Sequence, residues 1–417
     1  MVRQSIACIV LAISAVAVAA DSTLPRQRPL TDRVFEVTAG RMQRGRYLAE
    51  HVLQCFICHS ERDAAQPGAP PIVARKGAGV VLSRKGDRVI VAPNITPDRE
   101  TGAGSWTDDM LARSIREGIG HDGRALHPQM WYGSFAYLSD EDLASVVVYL
   151  RSIPAVRNAL PKMQLPEEER AEISSSPRPI TAPVPGPPPG DALARGKYLV
   201  TVADCSGCHT SWHSSRNPGL FGGGNLIEWP VGTAWSTNIT RDASGLQYPA
   251  DVFVAVVRTG KGGSLSPVMP WAAFRGMTDE DLSAVHLALG EAQAVRHYVG
   301  NHGEAEHCAV CGQSHPFGKL NRLETPAAMP LAREQLDRLV GRYRHSTWDL
   351  TVDIRTDGRR LYGVEEGGIE IELIAQSPVR FLAPGWPAPL EFELDAEGRV
   401  VRFVTLELDR EAFERLP

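Results

Sequence analysis

Cys55-Phe56-Ile57-Cys58-His59 is one of two such stretches in the chain; the other is Cys205-Ser206-Gly207-Cys208-His209. In each, two thiols stand one helical turn apart and an imidazole follows at once. C-x-x-C-H is the attachment signature of c-type haem. The thiols add to two vinyl groups on one edge of the porphyrin, and the adjacent His supplies the proximal nitrogen to the iron. A zinc knuckle or a redox dithiol that happens to precede a His is the competing reading. Two matches, each followed by the same downstream features, select haem. The expectation is two covalently bound haem c groups, one on Cys55, Cys58 and His59, the other on Cys205, Cys208 and His209.

The chain has 417 residues, enough for two or three domains, with 43% apolar and 22% charged residues and a formal charge of −5. Proteins that bind nucleic acid usually carry a basic surplus, and none is present. The N-terminus reads as a secretory signal over residues 1–20. Arg3 is basic, Ile6 to Ala20 is apolar but short for a bilayer, and Ala17-Val18-Ala19 offers a small-x-small cleavage site. The alternative is an uncleaved anchor. No later stretch is apolar enough to span a membrane, so the mature chain is expected in the periplasm. Of the seven cysteines, Cys8 leaves with the signal, four belong to the haem motifs, and Cys308 and Cys311 remain.

The first unit covers roughly 36–155. Arg44-Gly45-Arg46-Tyr47-Leu48 opens a helical pattern that runs into Cys55. Pro93-Asn94-Ile95-Thr96 and Trp106 form a turn-rich loop, and Thr107 caps a helix that stops at Gly118. Met130 follows in Pro128-Gln129-Met130-Trp131-Tyr132. A thioether there is a candidate second axial ligand, with His121 and His127 as nearby competitors and core packing as the bland alternative. Leu138-Ser139-Asp140-Glu141-Asp142-Leu143 begins the last helix, with Ser139 as its cap.

Residues 156–190 read as a linker, with seven prolines between Pro177 and Pro189. It would either hold two units apart as a stiff spacer or lie along their surface. A second unit then covers roughly 191–297 in the same order. Arg195-Gly196-Lys197-Tyr198-Leu199 leads into Cys205, and Thr237-Asn238-Ile239-Thr240, Arg258-Thr259-Gly260, Pro267-Val268-Met269-Pro270 and Met277-Thr278-Asp279-Glu280-Asp281-Leu282 follow. The copies stand 150 residues apart at the cysteines, 144 at Asn94 and Asn238, and 139 at Met130 and Met269. Order is kept while loops shorten, the mark of a duplicated domain. The recurrence strengthens Met130 and Met269 as ligands.

Each half resembles a class I cytochrome c domain, and the pair resembles the multihaem cytochrome c subunits of bacterial periplasmic dehydrogenases such as the alcohol and gluconate dehydrogenases. The resemblance covers about 36–297. It rests on C-x-x-C-H, N-[IL]-T-[PR]-D, a Met in a P-x-M loop and L-[ST]-D-E-D-L, with Met277 in place of the first Leu in the second copy. It implies two all-α domains and axial pairs His59 with Met130 and His209 with Met269. It also implies that Asn94, Asn238, Arg116 and Arg258 brace the haem pocket or its propionates. Trp131 stands where the family usually has Pro after the ligand Met. Many relatives carry a third haem motif, and two are found in this sequence.

Between 298 and 330, His302, His307, Cys308, Cys311 and His315 crowd together. Gly312 follows Cys311, so this is not a third haem motif. The candidates are a structural zinc on Cys308, Cys311, His307 and His315, a disulfide in an oxidising compartment, or free thiols. Residues 331–417 change character. A short helix breaks at Gly341, and alternating Leu350/Val352/Ile354, Ile369/Ile371/Leu373 and Leu390/Phe392/Leu394 read as strands, with turns at Asp357-Gly358 and Glu397-Gly398. The expectation is a small antiparallel sheet or partial barrel. Its L-x-x-[LY]-V-G-x-Y opening, Leu336 to Tyr343, resembles the small β domain appended to many β-lactamase-like proteins.

Three functions are consistent with these residues. The first is single-electron transfer, from a dehydrogenase subunit toward a copper protein or a terminal oxidase. The second is a dihaem peroxidase or haem oxidoreductase with an open distal site beside Met130. The third is a sensor whose β domain binds a ligand. The electron carrier or dehydrogenase cytochrome subunit is the reading preferred over a stand-alone enzyme.

Overall fold

Two helix-rich units and a C-terminal β-barrel make up the computed structural model. It describes residues 27–417 apart from 67, 175–176, 213–216, 230–231, 262–265, 267, 323–327, 347–349, 366–369, 384–388 and 407–410. The expected signal over 1–20, Pro267 and Ile369 lie outside the described residues.

The first unit runs α1 (Ala39–Tyr47), α2 (Cys55–Cys58), β1 (Val80–Lys85), β2 (Arg88–Ala92), α3 (Asp108–Glu117), α4 (Tyr132–Phe135) and α5 (Asp140–Ser152). Caps define its ends: Thr107 Oγ1 accepts from Met110 N and Ser139 Oγ from Asp142 N, while Gly118 closes α3 in the left-handed region. Segment 156–190 contains α6 (Glu167–Ser174) and runs along this unit, bonding Val89 to Gln164 and Asp140 to Val184. The second unit repeats the order with α7 (Ala192–Val202), α8 (Cys205–His209), β3 (Leu226–Trp229), β4 (Gly232–Trp235), α9 (Ala250–Thr259), α10 (Trp271–Phe274) and α11 (Asp279–Glu291). Each unit thus carries a two-stranded hairpin that the all-α expectation left out. Local alternation over four to six residues is a weak signal inside a loop-rich stretch.

The first and last helices of each unit cross at a glycine. A Cβ on Gly45 would stand 1.9 Å from Ser145 O, and one on Gly196 would stand 1.9 Å from Ala284 O. The two glycines and their partners hold matching positions in the two copies. Cys55 follows Tyr47 by eight positions, whereas Cys205 follows Tyr198 by seven. The first copy absorbs its extra residue in a π-helical turn over Leu48–Val52.

The units exchange the tyrosines that follow those glycines. Tyr198 Oη donates to Asp142 Oδ2 at 2.6 Å, and Ser139 N donates to Tyr198 Oη at 3.3 Å. Reciprocally, Tyr47 Oη donates to Asp281, and Thr278 N donates to Tyr47 Oη at 3.3 Å. Arg44 holds Asp142 with two bonds of 2.7 and 2.8 Å, and Arg195 holds Asp281 in the matching place. One continuous apolar core runs through both units, from Leu48, Val146 and Leu150 to Leu199, Leu282 and Leu289.

The connector holds β5 (Ala305–His307) and β6 (Ser314–Pro316), and α12 (Arg333–Asp337) leads into the barrel. Its strands are β7 (Gly341–His345), β8 (Thr351–Thr356), β9 (Leu361–Glu365), β10 (Glu370–Ala375), β11 (Arg380–Leu382), β12 (Leu390–Leu394), β13 (Val400–Thr405) and β14 (Ala412–Arg415). All pair antiparallel with their chain neighbours, and β14 closes on β7 through Phe413–His345 and Arg415–Tyr343. The barrel is therefore closed rather than partial. Tyr343, Phe381, Phe392, Phe403 and Phe413 fill it, with neighbouring ring centres 4.5 to 5.8 Å apart.

Gly196→Ala forces α7 off α11 and should cost about 1–3 kcal/mol through overpacking, read as a lower urea midpoint for the helical part. A second expectation concerns Glu411, whose carboxyl burial pushes up to about 7. His345 Nε2 lies 4.0 Å from it, but burial drives that imidazole down to about 4, so it offers no charge at neutral pH. Because the folded value is raised, this contribution to stability is complete below pH 4.5 and lost as pH rises through about 7. Glu411→Gln should then stabilise the barrel at pH 8 by about 2–3 kcal/mol and flatten its pH dependence, measured by calorimetry.

Candidate haem-binding sites

The residue before each first thiol ends the preceding helix. Gln54 and Asp204 sit in the left-handed region at φ 56° and 57°, so the chain stops, turns and restarts as the single turn that carries both thiols. Burial pushes the thiols of Cys55, Cys205 and Cys208 up to about 12, and that of Cys58 to about 11. A redox dithiol needs surroundings that favour the thiolate. These disfavour it, which suits thiols that are to become neutral thioethers.

The His59 imidazole is buried and that of His209 partly buried, and each is turned by one bond. His59 Nδ1 donates to Pro93 O at 2.7 Å, and His209 Nδ1 donates to Thr237 O at 2.7 Å. A carbonyl can only accept, so Nδ1 carries the proton and Nε2 is left as a base for a metal. The carbonyl-bearing loops are fixed by the next residue. Asn94 Nδ2 donates to Val156 O at 2.7 Å, and its Oδ1 accepts from Thr96 N and Oγ1 at 2.9 and 2.7 Å. Asn238 repeats this with Val295 O at 2.6 Å and Thr240 at 2.9 and 2.8 Å. The asparagines therefore brace the loop under the imidazole. Arg116 and Arg258 pair with Asp140 and Asp279, each at 2.6 Å, and tie α3 and α9 to the starts of α5 and α11.

Met130 and Met269 are half-buried and pack on the same core as Cys55 and Cys205. Their loops differ at the following residue. Pro270 has φ −75°, whereas Trp131 is left-handed at φ 57°, a conformation proline cannot adopt. The competing histidines are engaged elsewhere: His121 stacks on Trp106 with ring centres 4.3 Å apart, and His127 bonds Glu169 at 3.2 Å.

The two attachment turns meet at the boundary between the units. Gln54 Nε2 donates to Ala203 O at 3.4 Å, and Ser134 Oγ donates to Asp204 Oδ1 at 2.5 Å. Arg62, three residues beyond His59, lies 5.8 Å above the Trp229 ring of the second unit. Its Nε and Nη2 bond Ala69 O and Gly68 O, while its Nη1 is buried and has no hydrogen-bond partner among the described residues. Sequence reading missed Arg62, because only the packing of the two units gives it a role.

In the connector, Cys308, Cys311 and His315 come together with His297, which lies in the segment following α11. The expected fourth member, His307, is corrected by strand alternation. It is exposed on β5 opposite Ser314, while Cys308 beside it turns inward. His302 is exposed as well.

No protein-family model matches the chain. It is similar to the fructose dehydrogenase cytochrome subunit of Gluconobacter japonicus, 29% identical over 260 residues that make up 58% of this chain and 51% of that protein. It is likewise similar to the gluconate 2-dehydrogenase cytochrome c subunit of Pantoea cypripedii, 28% identical over 63% of this chain and 59% of that one. A diheme cytochrome c-type protein of Cereibacter sphaeroides is 27% identical over 304 residues, 68% of this chain and 97% of its own length. These relatives are thus cytochrome c subunits of dehydrogenases and a dihaem cytochrome c. The matches span about half to three-fifths of the first two relatives. Among the described residues, no helix is long and apolar enough to cross a membrane.

Asn94→Ala removes four bonds at once and leaves Thr96 N buried without its acceptor. It should cost about 2–4 kcal/mol and speed amide exchange at Thr96, measured by hydrogen–deuterium exchange.

Proposed function

We propose that this chain is an exported dihaem c-type cytochrome that passes single electrons from a dehydrogenase to a downstream acceptor. Haem supplies one-electron chemistry at an iron whose potential the protein sets through its ligands and surroundings. Cys55 and Cys58, with Cys205 and Cys208, would hold the two groups, and His59 and His209 would offer Nε2 to the irons. Met130 and Met269 would supply soft thioether ligands. The observation that carries the reading is the twice-built imidazole, fixed at Nδ1 by a loop carbonyl and set beside two desolvated thiols. The likeness to dehydrogenase cytochrome subunits supports a dehydrogenase as donor.

The chain's own part is to hold geometry. Tyr47 and Tyr198 lock the units so that both attachment turns face the shared boundary. The guanidinium of Arg62 adds a fixed positive charge there. The aromatic filling of the barrel favours a docking or packing role over a ligand-sensing one. Its opening, Leu336 to Tyr343, keeps its resemblance to the small β domain of β-lactamase-like proteins.

A second reading, a haem oxidoreductase with an open site at the first haem, draws on Trp131. Its left-handed backbone reshapes the loop beside Met130 where the second copy has a proline.

The full chain, expressed in a host able to attach haem and exported, should contain two haems per polypeptide and titrate as two one-electron steps. Cys205→Ala/Cys208→Ala should leave one haem. A colourless product with the mass of its amino acids alone would end the proposal. A sulfur-to-iron charge-transfer band of full strength for two haems supports the carrier, and a high-spin fraction lost in Trp131→Pro supports the second reading.

A further inference from the structure

The connector cluster is not part of either haem site, and its geometry can be compared with a metal's requirements. His297, Cys308, Cys311 and His315 are all buried, and their four ligand atoms lie within 4.8 Å of one another. Cys308 Sγ is 3.4 Å from His297 Nε2, and Cys311 Sγ is 3.4 Å from His315 Nε2. A tetrahedral zinc with Zn–S near 2.3 Å and Zn–N near 2.05 Å sets its sulfur and nitrogen ligands roughly 3.5 Å apart. The spacing is therefore that of a shared ion.

The surroundings orient the ligands as a metal site does. His297 Nδ1 donates to Gly222 O at 2.6 Å and His315 Nδ1 to Pro316 O at 3.0 Å, so both Nε2 atoms face the sulfurs. Cys311 N approaches Cys308 Sγ at 3.5 Å, and Gly312 turns the chain at φ 74° directly after the second cysteine. A disulfide between the two cysteines would leave two buried imidazoles aimed at nothing.

The duplication supplies an independent argument. Val295 accepts from Asn238 as Val156 accepts from Asn94, which aligns His297 with Asn158. Asn158 Nδ2 donates to Ala78 O at 2.9 Å, and His297 Nδ1 makes the same bond to Gly222 O, the matching carbonyl. An amide would have served in the second copy as it does in the first. The imidazole keeps that bond and adds a second nitrogen, and that nitrogen faces Cys308.

We infer that His297, Cys308, Cys311 and His315 bind one structural zinc ion, which clamps the connector onto the second unit. Two thiolates and two neutral imidazoles fill a closed tetrahedron, with no position left for water or substrate. Binding displaces the two thiol protons, and the two thiolates balance the charge of the ion. The clamp reaches the second haem site, because Gly223 N, beside the carbonyl that holds His297, donates to His209 O at 2.6 Å. Nothing in this argument uses haem, so it stands or falls separately.

The test is metal analysis of the exported full chain alongside its haem count. One zinc per polypeptide is expected, with X-ray absorption at the zinc edge showing two sulfur and two nitrogen neighbours at about 2.3 and 2.05 Å. His297→Gln and Cys308→Ser should each lower zinc to a small fraction of one equivalent, while His307→Gln keeps it at one. Absence of zinc with an intact mass two daltons low would show a disulfide and overturn the inference. An additional iron in place of zinc, or a zinc shell without two sulfurs, would overturn it equally. The wild-type measurements decide even where a variant fails to fold.

Discussion

The bond from each imidazole Nδ1 to a loop carbonyl is the constraint on which the rest of the two helical units depends. It fixes the tautomer and the ring plane together, and the carbonyl must itself be immobile. In the first unit a closed circuit provides this. His59 bonds Pro93 O, Asn94 bonds Val156 O, Asn158 bonds Ala78 O, and Gly79 N returns to His59 O. In the second unit the circuit runs through His209, Thr237, Asn238, Val295, His297, Gly222 and Gly223. Each circuit joins the haem-motif segment, the N-I-T loop and the chain leaving the last helix, which are distant in sequence. Release of any one bond leaves a buried donor or acceptor unpaired, so the circuit holds as a unit.

Around each circuit the helices are set by crossings that exclude side chains. Gly45 and Gly196 let the first and last helices touch backbone to backbone, and the tyrosine two residues on leaves its own unit for the other. Because the exchange is reciprocal, each unit supplies one phenol and receives one, both at the N-terminus of the partner's last helix. There the carboxylates of Asp142 and Asp281 are already held by Arg44 and Arg195. Burying a carboxylate is costly unless its lone pairs are met, and here an arginine and a tyrosine meet them jointly. A boundary built from paired buried bonds holds the two C-x-x-C-H turns in a fixed relation to one another.

Much of this was readable from the residues. The haem motifs, the caps at Thr107 and Ser139, the duplication and the β character of the last eighty or so residues all follow from local patterns. Less legible was whatever depends on distant partners. Strand alternation marks the barrel strands, but closure needs Gly341–His345 beside Ala412–Arg415, and nothing local announces that pairing. The tyrosine exchange was hidden because Tyr47 and Tyr198 read equally well as apolar members of a helix face. Arg116 and Arg258 matched a haem-bracing pattern, and their pairing with Asp140 and Asp279 could be found only in the fold. His307 looked equivalent to His315 in a crowded run, and only the pleat of a two-residue-period strand separates them.

The copies have diverged at opposite ends of the same design. In the first, the loop beside Met130 carries Trp131 in a left-handed backbone, while the proximal circuit is closed by the plain amide of Asn158. In the second, the loop beside Met269 keeps a proline, and the circuit is closed by His297, whose other nitrogen turns toward Cys308. A duplicated domain starts with two equal sites, and here the two have come to differ. Altering the thioether side of one and the proximal side of the other separates their surroundings without disturbing the circuit both require. The connector cluster is thus an elaboration of the circuit already present, since its first ligand is the residue that holds the second imidazole's loop in place.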